Sequence, residues 1–336
     1  MTTKNGWGLI GTGRIANDRM LPGINAFAGN KLIAIVSRDQ ARADAVARKF
    51  GAQHAYTSYD DMLRNPDVTV VAIHTPNSLH AGQAIAAARA GKHVFCDKPM
   101  ATNVADAEHM VRECEKAGVK LGINFIYRFI PYFVETRRII ASGEIGEVQI
   151  VQLEACSHAR PGERLTTWRG DPLIAGLGST MVSGVHAYDI LRYLLSSEIE
   201  TVSTFFDTPC GVMEAANLSI LRFANGVIAQ VSVHEKVPFP HNDFVIHGSK
   251  GRITGKGGRQ RAREGGELQV TTADGKTRIT EFPVTNVHAA SVAAFSEALI
   301  EGRDPVPSGM DGLRSVQLTD AMARSAWNGL HVRLAR

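Results

Sequence analysis

Short, continuous apolar runs alternate with helix-forming stretches over the first 125 residues. Trp7–Ile10 ends in glycines and leads into a helical stretch from about Arg14 towards Ala28. Lys31–Val36 is a second apolar run, followed by helix-forming residues from Asp39 to Phe50. Val68–His74, His93–Cys96 and Val119–Phe125 read as further strands, separated by helices over Leu79–Ala90 and Val104–Ala117. Strands that alternate with helices of this length form parallel βαβ units. Their unbroken apolar character means that both faces of the sheet are covered.

From about Gly146 the period changes to two. Val148–Cys156, Ala215–Phe223 and Val227–Val233 alternate apolar and polar residues, and Ala224-Asn225-Gly226 between the last two predicts a hairpin. Asp243–His247, Leu268–Thr272 and Thr277–Phe282 add short strands. Helices fall near Ser183–Leu195, Ala289–Glu301 and Leu313–Asn328. The pattern predicts an α/β chain with a doubly wound parallel sheet over 1–125. An α+β domain over 126–336 follows, built on a large, mostly antiparallel, open-faced sheet. The final helix, about 313–328, can pack back on the first domain.

Gly11-Thr12-Gly13-Arg14-Ile15-Ala16 lies between the first strand and the first helix, where a Rossmann domain binds dinucleotide. The first glycine permits the tight turn and the second lets the backbone approach a pyrophosphate. Ala16 keeps the helix close to the sheet, and the helix N-terminus offers free N–H groups. At the end of the second strand, where NAD-binding proteins place an acid, this chain has Ser37-Arg38. A hydroxyl and a guanidinium suit a 2′-phosphate, so NADP(H) is expected over NAD(H).

Composition narrows the classes. The 336 residues suit two domains, and a formal charge of +4 argues for neither a nucleic-acid nor a membrane partner. Cys96, Cys114, Cys156 and Cys210 form no metal or disulfide pattern, so no metal is expected and a reducing cytoplasm is the expected location. The basic stretch Ser249–Gly266 lacks the aromatics that single-stranded nucleic acid requires and reads as a solvated sheet-edge loop.

Three further segments combine with the fingerprint: Thr75-Pro76-Asn77-Ser78-Leu79-His80, the run Ala90–Pro99 ending in Asp97-Lys98-Pro99, and Gly176–His186. Together they resemble the glucose–fructose oxidoreductase/inositol dehydrogenase/rhizopine-catabolism (Gfo/Idh/MocA) family over essentially the whole chain. The resemblance implies an NAD(P)-dependent oxidoreductase of sugars or polyols, forming a homodimer or homotetramer through the C-terminal sheet. It adds Thr75, Pro76, Asn77, His80 and Asp97 to the cofactor-binding residues and maps the catalytic lysine of the family's Glu-Lys-Pro motif onto Lys98, which also borders the cofactor. The position suits that chemistry independently. Oxidising a secondary alcohol needs a base for the hydroxyl proton, and Lys98 follows a parallel strand at the end where open α/β sheets place ligands.

The family's Asp-x-x-x-His motif aligns its histidine with His186 but places Val182 where the aspartate stands. His186 is assigned to the reacting oxygen or a substrate hydroxyl. Further candidates for the substrate are Asn124, Tyr127, Arg128, His158, Trp168, Ser183 and Asp189, with Arg160 on the same loop as His158. Two alternatives share the fold: a dinucleotide-sensing regulator without catalysis, which the missing carboxylate favours, and an NAD-dependent glycosidase, which Ser37-Arg38 disfavours.

Overall fold

A computed structural model describes residues 5–157, 167–235, 242–257 and 265–334. The chain divides into two compact units. One comprises residues up to Phe125 together with Asn286–Val316, and the other comprises Ile126–Thr285 and the residues from Gln317 onward. Segment 286–316 therefore groups with the residues before the second sheet, not with those that adjoin it in sequence.

Among its described residues the first unit holds six parallel strands: β1 (Asn5–Ile10), β2 (Asn30–Val36), β3 (His54–Tyr56), β4 (Val70–Ile73), β5 (His93–Cys96) and β6 (Leu121–Ile123). Their order is β3-β2-β1-β4-β5-β6, the doubly wound arrangement that the apolar runs imply. The interiors of β1, β2 and β4 are buried, as a sheet covered on both faces requires, whereas the edge strand β3 is exposed to half-buried. Trp7, Phe95 and Phe295 meet at ring-centroid distances of 5.0–5.9 Å and tie the helix Val287–Glu301 to this sheet. Asp39 caps the helix Gln40–Phe50 by accepting from the Arg42 N–H at 2.7 Å, so this acid serves the helix.

Among the described residues the second unit carries nine strands: β7 (Val148–Cys156), β8 (Ile199–Phe206), β9 (Ala216–Phe223), β10 (Ile228–His234), β11 (Phe244–Gly248), β12 (Gly251–Lys256), β13 (Gly266–Thr272), β14 (Thr277–Phe282) and β15 (Val332–Arg333). They run β14-β13-β12-β11-β7-β10-β9-β8-β15. The Asn225-Gly226 hairpin joins β9 and β10 in antiparallel register, while β10 and β7 pair in parallel. Alternation buries one face, with Val151, Leu221, Val231 and Ile253 at most 1% exposed.

Several elements escaped the sequence pattern. Strand β3 has only three residues, and β8 has little alternation. The helix Pro131–Ala141 follows a 3-10 turn that hides its start. The basic stretch is corrected in part. Instead of a sheet-edge loop, residues 251–256 form an inner strand between β11 and β13. Only Ile253 and Gly255 of this strand are buried, Arg252 and Lys256 lie exposed, and Lys256 pairs with Glu267 at 2.9 Å. Charge on one side of a strand conceals its buried face in a short window. Among the described residues, no helix is long and apolar enough to cross a membrane.

Candidate functional site

In the first unit the glycine turn leaves β1 at its carboxyl end. Gly11 has φ +99°, and a Cβ there would lie 2.4 Å from the carbonyl oxygen of His74, so both conformation and space demand glycine. Gly13 is different. It has no positive φ, and a Cβ would meet nothing within 4 Å. The fold does not require glycine there, but a ligand backed against the main chain does, as a pyrophosphate would be. The residues present thus fit a dinucleotide. Asn17, which the motif does not include, donates from Nδ2 to the carbonyls of Thr12 and Gly13, both at 3.0 Å. That engages the turn's acceptors on the protein side. Ala16 is buried, whereas Arg14 is exposed and Ile15 half-buried. The Thr12 hydroxyl donates to Ser37 Oγ at 3.2 Å, and Arg38 beside it is exposed. The structure therefore brings the glycine turn and the end of β2 together.

Thr75, Pro76 and Asn77 follow β4. Thr75 donates to Gln83 Oε1 at 2.6 Å, and Asn77 is buried. His80 is 1% exposed, with Nδ1 2.8 Å from the Pro99 carbonyl and Nε2 2.9 Å from the Thr75 carbonyl. It straps the end of β4 to the turn that carries Lys98. Burial lowers the pKa of its imidazole, outweighing the two carbonyls and the Asp97 charge that favour the proton.

Asp97 closes β5. Its Oδ1 accepts from the Lys98 backbone N–H at 2.9 Å and from Asn124 Nδ2 at 3.4 Å, and its Oδ2 lies 3.4 Å from His74 Nδ1. The last contact is long and poorly aligned, so it counts as charge proximity more than as a hydrogen bond. Burial is the largest single influence and pushes the Asp97 carboxyl up. Nearby His74, Lys98 and His80 together outweigh it and hold the group well below the usual carboxylate range. Asn124 in turn accepts from Ser291 at 3.1 Å. Asp97 is therefore a brace for the Lys98 turn, and Asn124 a brace for Asp97. Lys98 itself is half-buried.

In the second unit His186 opens the helix Val185–Leu195, is 7% exposed, and stacks on Tyr127 with centroids 4.7 Å apart and planes 12° from parallel. The π-helical turn Thr180–Gly184 precedes it, and such turns recur at functional sites. Buried Glu214 accepts from the Gly178 and Thr180 N–H groups at 2.8 and 2.7 Å, giving the helix start an acceptor. Ser183 donates to Glu235 at 3.1 Å. Arg128 engages both oxygens of Asp189, so these two candidates hold one another. Trp168 is half-buried under the Arg169 guanidinium, 4.4 Å from its ring centroid. His158 and Arg160 lie outside the described residues.

Sequence reasoning did not single out Asn17, His74, Glu214 or Glu235. Asn17 stands one residue past the motif, and His74 reads as the end of a strand. The two glutamates reach the helix start from 34 to 52 residues away, a relationship no local pattern encodes.

Comparison with known proteins gives a consistent result. A family model described as "Oxidoreductase family, NAD-binding Rossmann fold" matches residues 6–125, and the "GFO/IDH/MocA C-terminal domain" matches 133–254. The chain is 31% identical over 328 residues to 1,5-anhydro-D-fructose reductase of Ensifer adhaerens, covering 97% of each. It is 31% identical over 336 residues to D-xylose 1-dehydrogenase (NADP(+)) 2 of Haloferax volcanii, covering 98% of this chain and 99% of that one. Levoglucosan dehydrogenase in complex with NADH and levoglucosan superposes with a TM-score of 0.89 at 26% identity, covering 99% of this chain and 100% of that one.

Proposed function

The chain belongs to the Gfo/Idh/MocA oxidoreductase family, and from that premise we propose that it interconverts a secondary alcohol and a ketone of a sugar or polyol, with NADP(H) as redox partner. The bound dinucleotide supplies the hydride acceptor or donor. Lys98 takes the hydroxyl proton during oxidation and returns it during reduction. His186, backed by the Tyr127 ring, orients the reacting oxygen or a neighbouring hydroxyl.

One observation carries this function. His74 packs its backbone against Gly11 and turns its side chain to Asp97, which holds the Lys98 N–H. The glycine turn and Lys98 thus follow the carboxyl ends of β1 and β5, the strands on either side of β4, at the end where parallel sheets bind ligands. NADP(H) is favoured because the end of β2 offers Ser37 and the exposed guanidinium of Arg38 instead of a carboxylate.

The nine-stranded sheet supports self-association into a dimer or tetramer. Ile150, Phe205, Leu218, Ile220 and Ile279 share its uncovered face by register and are 44–75% exposed. An apolar surface of this kind marks an interface in a soluble protein. Light scattering coupled to gel filtration reads the state directly, and a monomer at micromolar concentration would refute it.

The decisive experiment is a panel of D-xylose, D-glucose, 1,5-anhydro-D-fructose, levoglucosan and myo-inositol, run with each cofactor while nicotinamide absorbance is followed. Turnover with higher kcat/KM for the phosphorylated cofactor is expected. Inactivity on every sugar rejects the function, and a higher kcat/KM with the unphosphorylated cofactor rejects the cofactor assignment alone.

A further inference from the structure

The helix that bears His186 is entered through a wide turn. The Val185 N–H donates to the Thr180 carbonyl five residues back, so Thr180–Gly184 hold one residue more than an α-helical turn does. One extra residue rotates everything after it by about 100° about the helix axis. His186 is the second residue beyond that turn, and its ring lies on Tyr127. The direction of the imidazole therefore depends on the wide turn. Such turns are rare because the α turn is the ordinary preference of the chain, so tertiary contacts must hold this one.

Strand β9 supplies them. Asn217, its second residue, is 4% exposed. Its Nδ2 donates to Thr180 Oγ1 at 3.0 Å, and its Oδ1 accepts from the Tyr188 hydroxyl at 3.0 Å. Burial pushes the Tyr188 phenol up in pKa, so its hydroxyl stays a donor. One amide thus joins the first residue of the wide turn to the helix beyond it, with His186 between the two points in sequence. Ser219 Oγ, 3.4 Å from the same Asn217 oxygen and also bonded to the phenol, backs this clamp from the strand side. Glu214 holds only the near side, through the Gly178 and Thr180 N–H groups. Gly184 makes the reach possible. A Cβ there would lie 2.8 Å from the Tyr188 ring, so only glycine lets that ring fold back over the turn.

We propose that Asn217 is a positioning residue for His186. By joining Thr180 to Tyr188 it keeps the extra residue in the helix and so holds the imidazole on the Tyr127 ring. No contact with substrate or cofactor is assigned to Asn217. Its consequence for turnover rests on the role proposed above for His186; its consequence for the imidazole does not.

The test reads both consequences in the full-length enzyme. With isotope-labelled histidine rings, the His186 ring proton is identified in the NMR spectrum by its loss in His186→Gln. Stacking on Tyr127 places it upfield of an unstacked histidine. Asn217→Leu keeps the volume and removes both hydrogen bonds. Tyr188→Phe combined with Thr180→Val removes them without touching Asn217. Each is expected to move the His186 signal downfield to the unstacked range. Each should also lower kcat on the best sugar of the panel by about 10- to 100-fold, with the NADPH dissociation constant within about twofold of wild type. Ser325→Ala, which loses two buried hydrogen bonds far along the chain, to the Thr204 N–H and the Leu330 carbonyl, should do neither. An unmoved His186 signal in Asn217→Leu overturns the proposal, and the paired variant decides the point if Asn217→Leu does not fold. A signal that Ser325→Ala moves equally overturns it as well, because general loosening then explains the effect. A moved signal with unchanged kcat keeps Asn217 in its role and removes His186 from the chemistry. Wild-type inactivity on every sugar rejects the proposed function, while the NMR comparison still decides the role of Asn217.

Discussion

Arg128 donates to both oxygens of Asp189, from Nε at 2.8 Å and from Nη2 at 2.6 Å, in a pair whose side chains are 6% and 0% exposed. The planar fork matches the carboxylate, and Arg192 adds a second guanidinium at 3.8 Å. Such a pair costs much to break because the surviving charge is left buried. Arg128→Ala should therefore destabilise the second unit by about 3–5 kcal/mol, read by urea unfolding. A loss below about 1 kcal/mol, the range of a surface ion pair, would contradict the pairing.

Gly11 and Gly13 should separate fold from ligand. Gly11→Ala forces a Cβ against the His74 carbonyl at positive φ and should cost about 1–3 kcal/mol of stability. Gly13→Val meets open space, so its melting temperature should stay near wild type while the NADPH dissociation constant rises by more than about tenfold. NADPH binding that survives Gly13→Val would place the pyrophosphate elsewhere.

Cofactor choice should reside at the end of β2. Arg38→Ala should weaken NADPH by about 10- to 100-fold, the worth of a charge-assisted hydrogen bond, and leave NADH nearly unchanged. Fluorescence titration with both dinucleotides measures it, and parallel losses would show that Arg38 does not read the 2′-phosphate.

Lys98→Ala should lower turnover by about 100- to 10,000-fold while NADPH still binds, since the role proposed for the side chain is proton transfer and the turn is held through its backbone. Full activity in this variant would remove Lys98 from the chemistry.

His288, in the helix Val287–Glu301, gives the first unit an acid sensitivity. Burial chiefly lowers its pKa from 6.5 to about 4; the Asp97 charge opposes this, and His74, Arg19 and Lys98 reinforce it. Between those values the unfolded chain binds a proton that the folded chain refuses, so stability falls as pH drops from 6.5 towards 4, by up to about 3 kcal/mol. His288→Gln should flatten that slope in urea titrations at pH 4.5 and 7. An unchanged slope would assign the sensitivity to other groups.

Sequence alone determined the doubly wound sheet, the Asn225-Gly226 hairpin, the change of period near Gly146, the glycine turn and the position of Lys98. Each is written in neighbouring residues: apolar runs, alternation, or a motif within one βα unit. Tertiary structure alone decided the rest. It returned residues 286–316 to the first unit, made Gly251–Lys256 an inner strand, and turned Arg128 and Asp189 towards one another. It set His74 between Gly11 and Asp97, and brought Glu235 to Ser183 across 52 residues of chain. The physical reason is common to these cases. A side chain's partner across a fold depends on strand order and register, and local propensity is blind to both. Val182 is legible in the sequence, whereas the contact of its neighbour Ser183 with Glu235 exists only once β10 is folded.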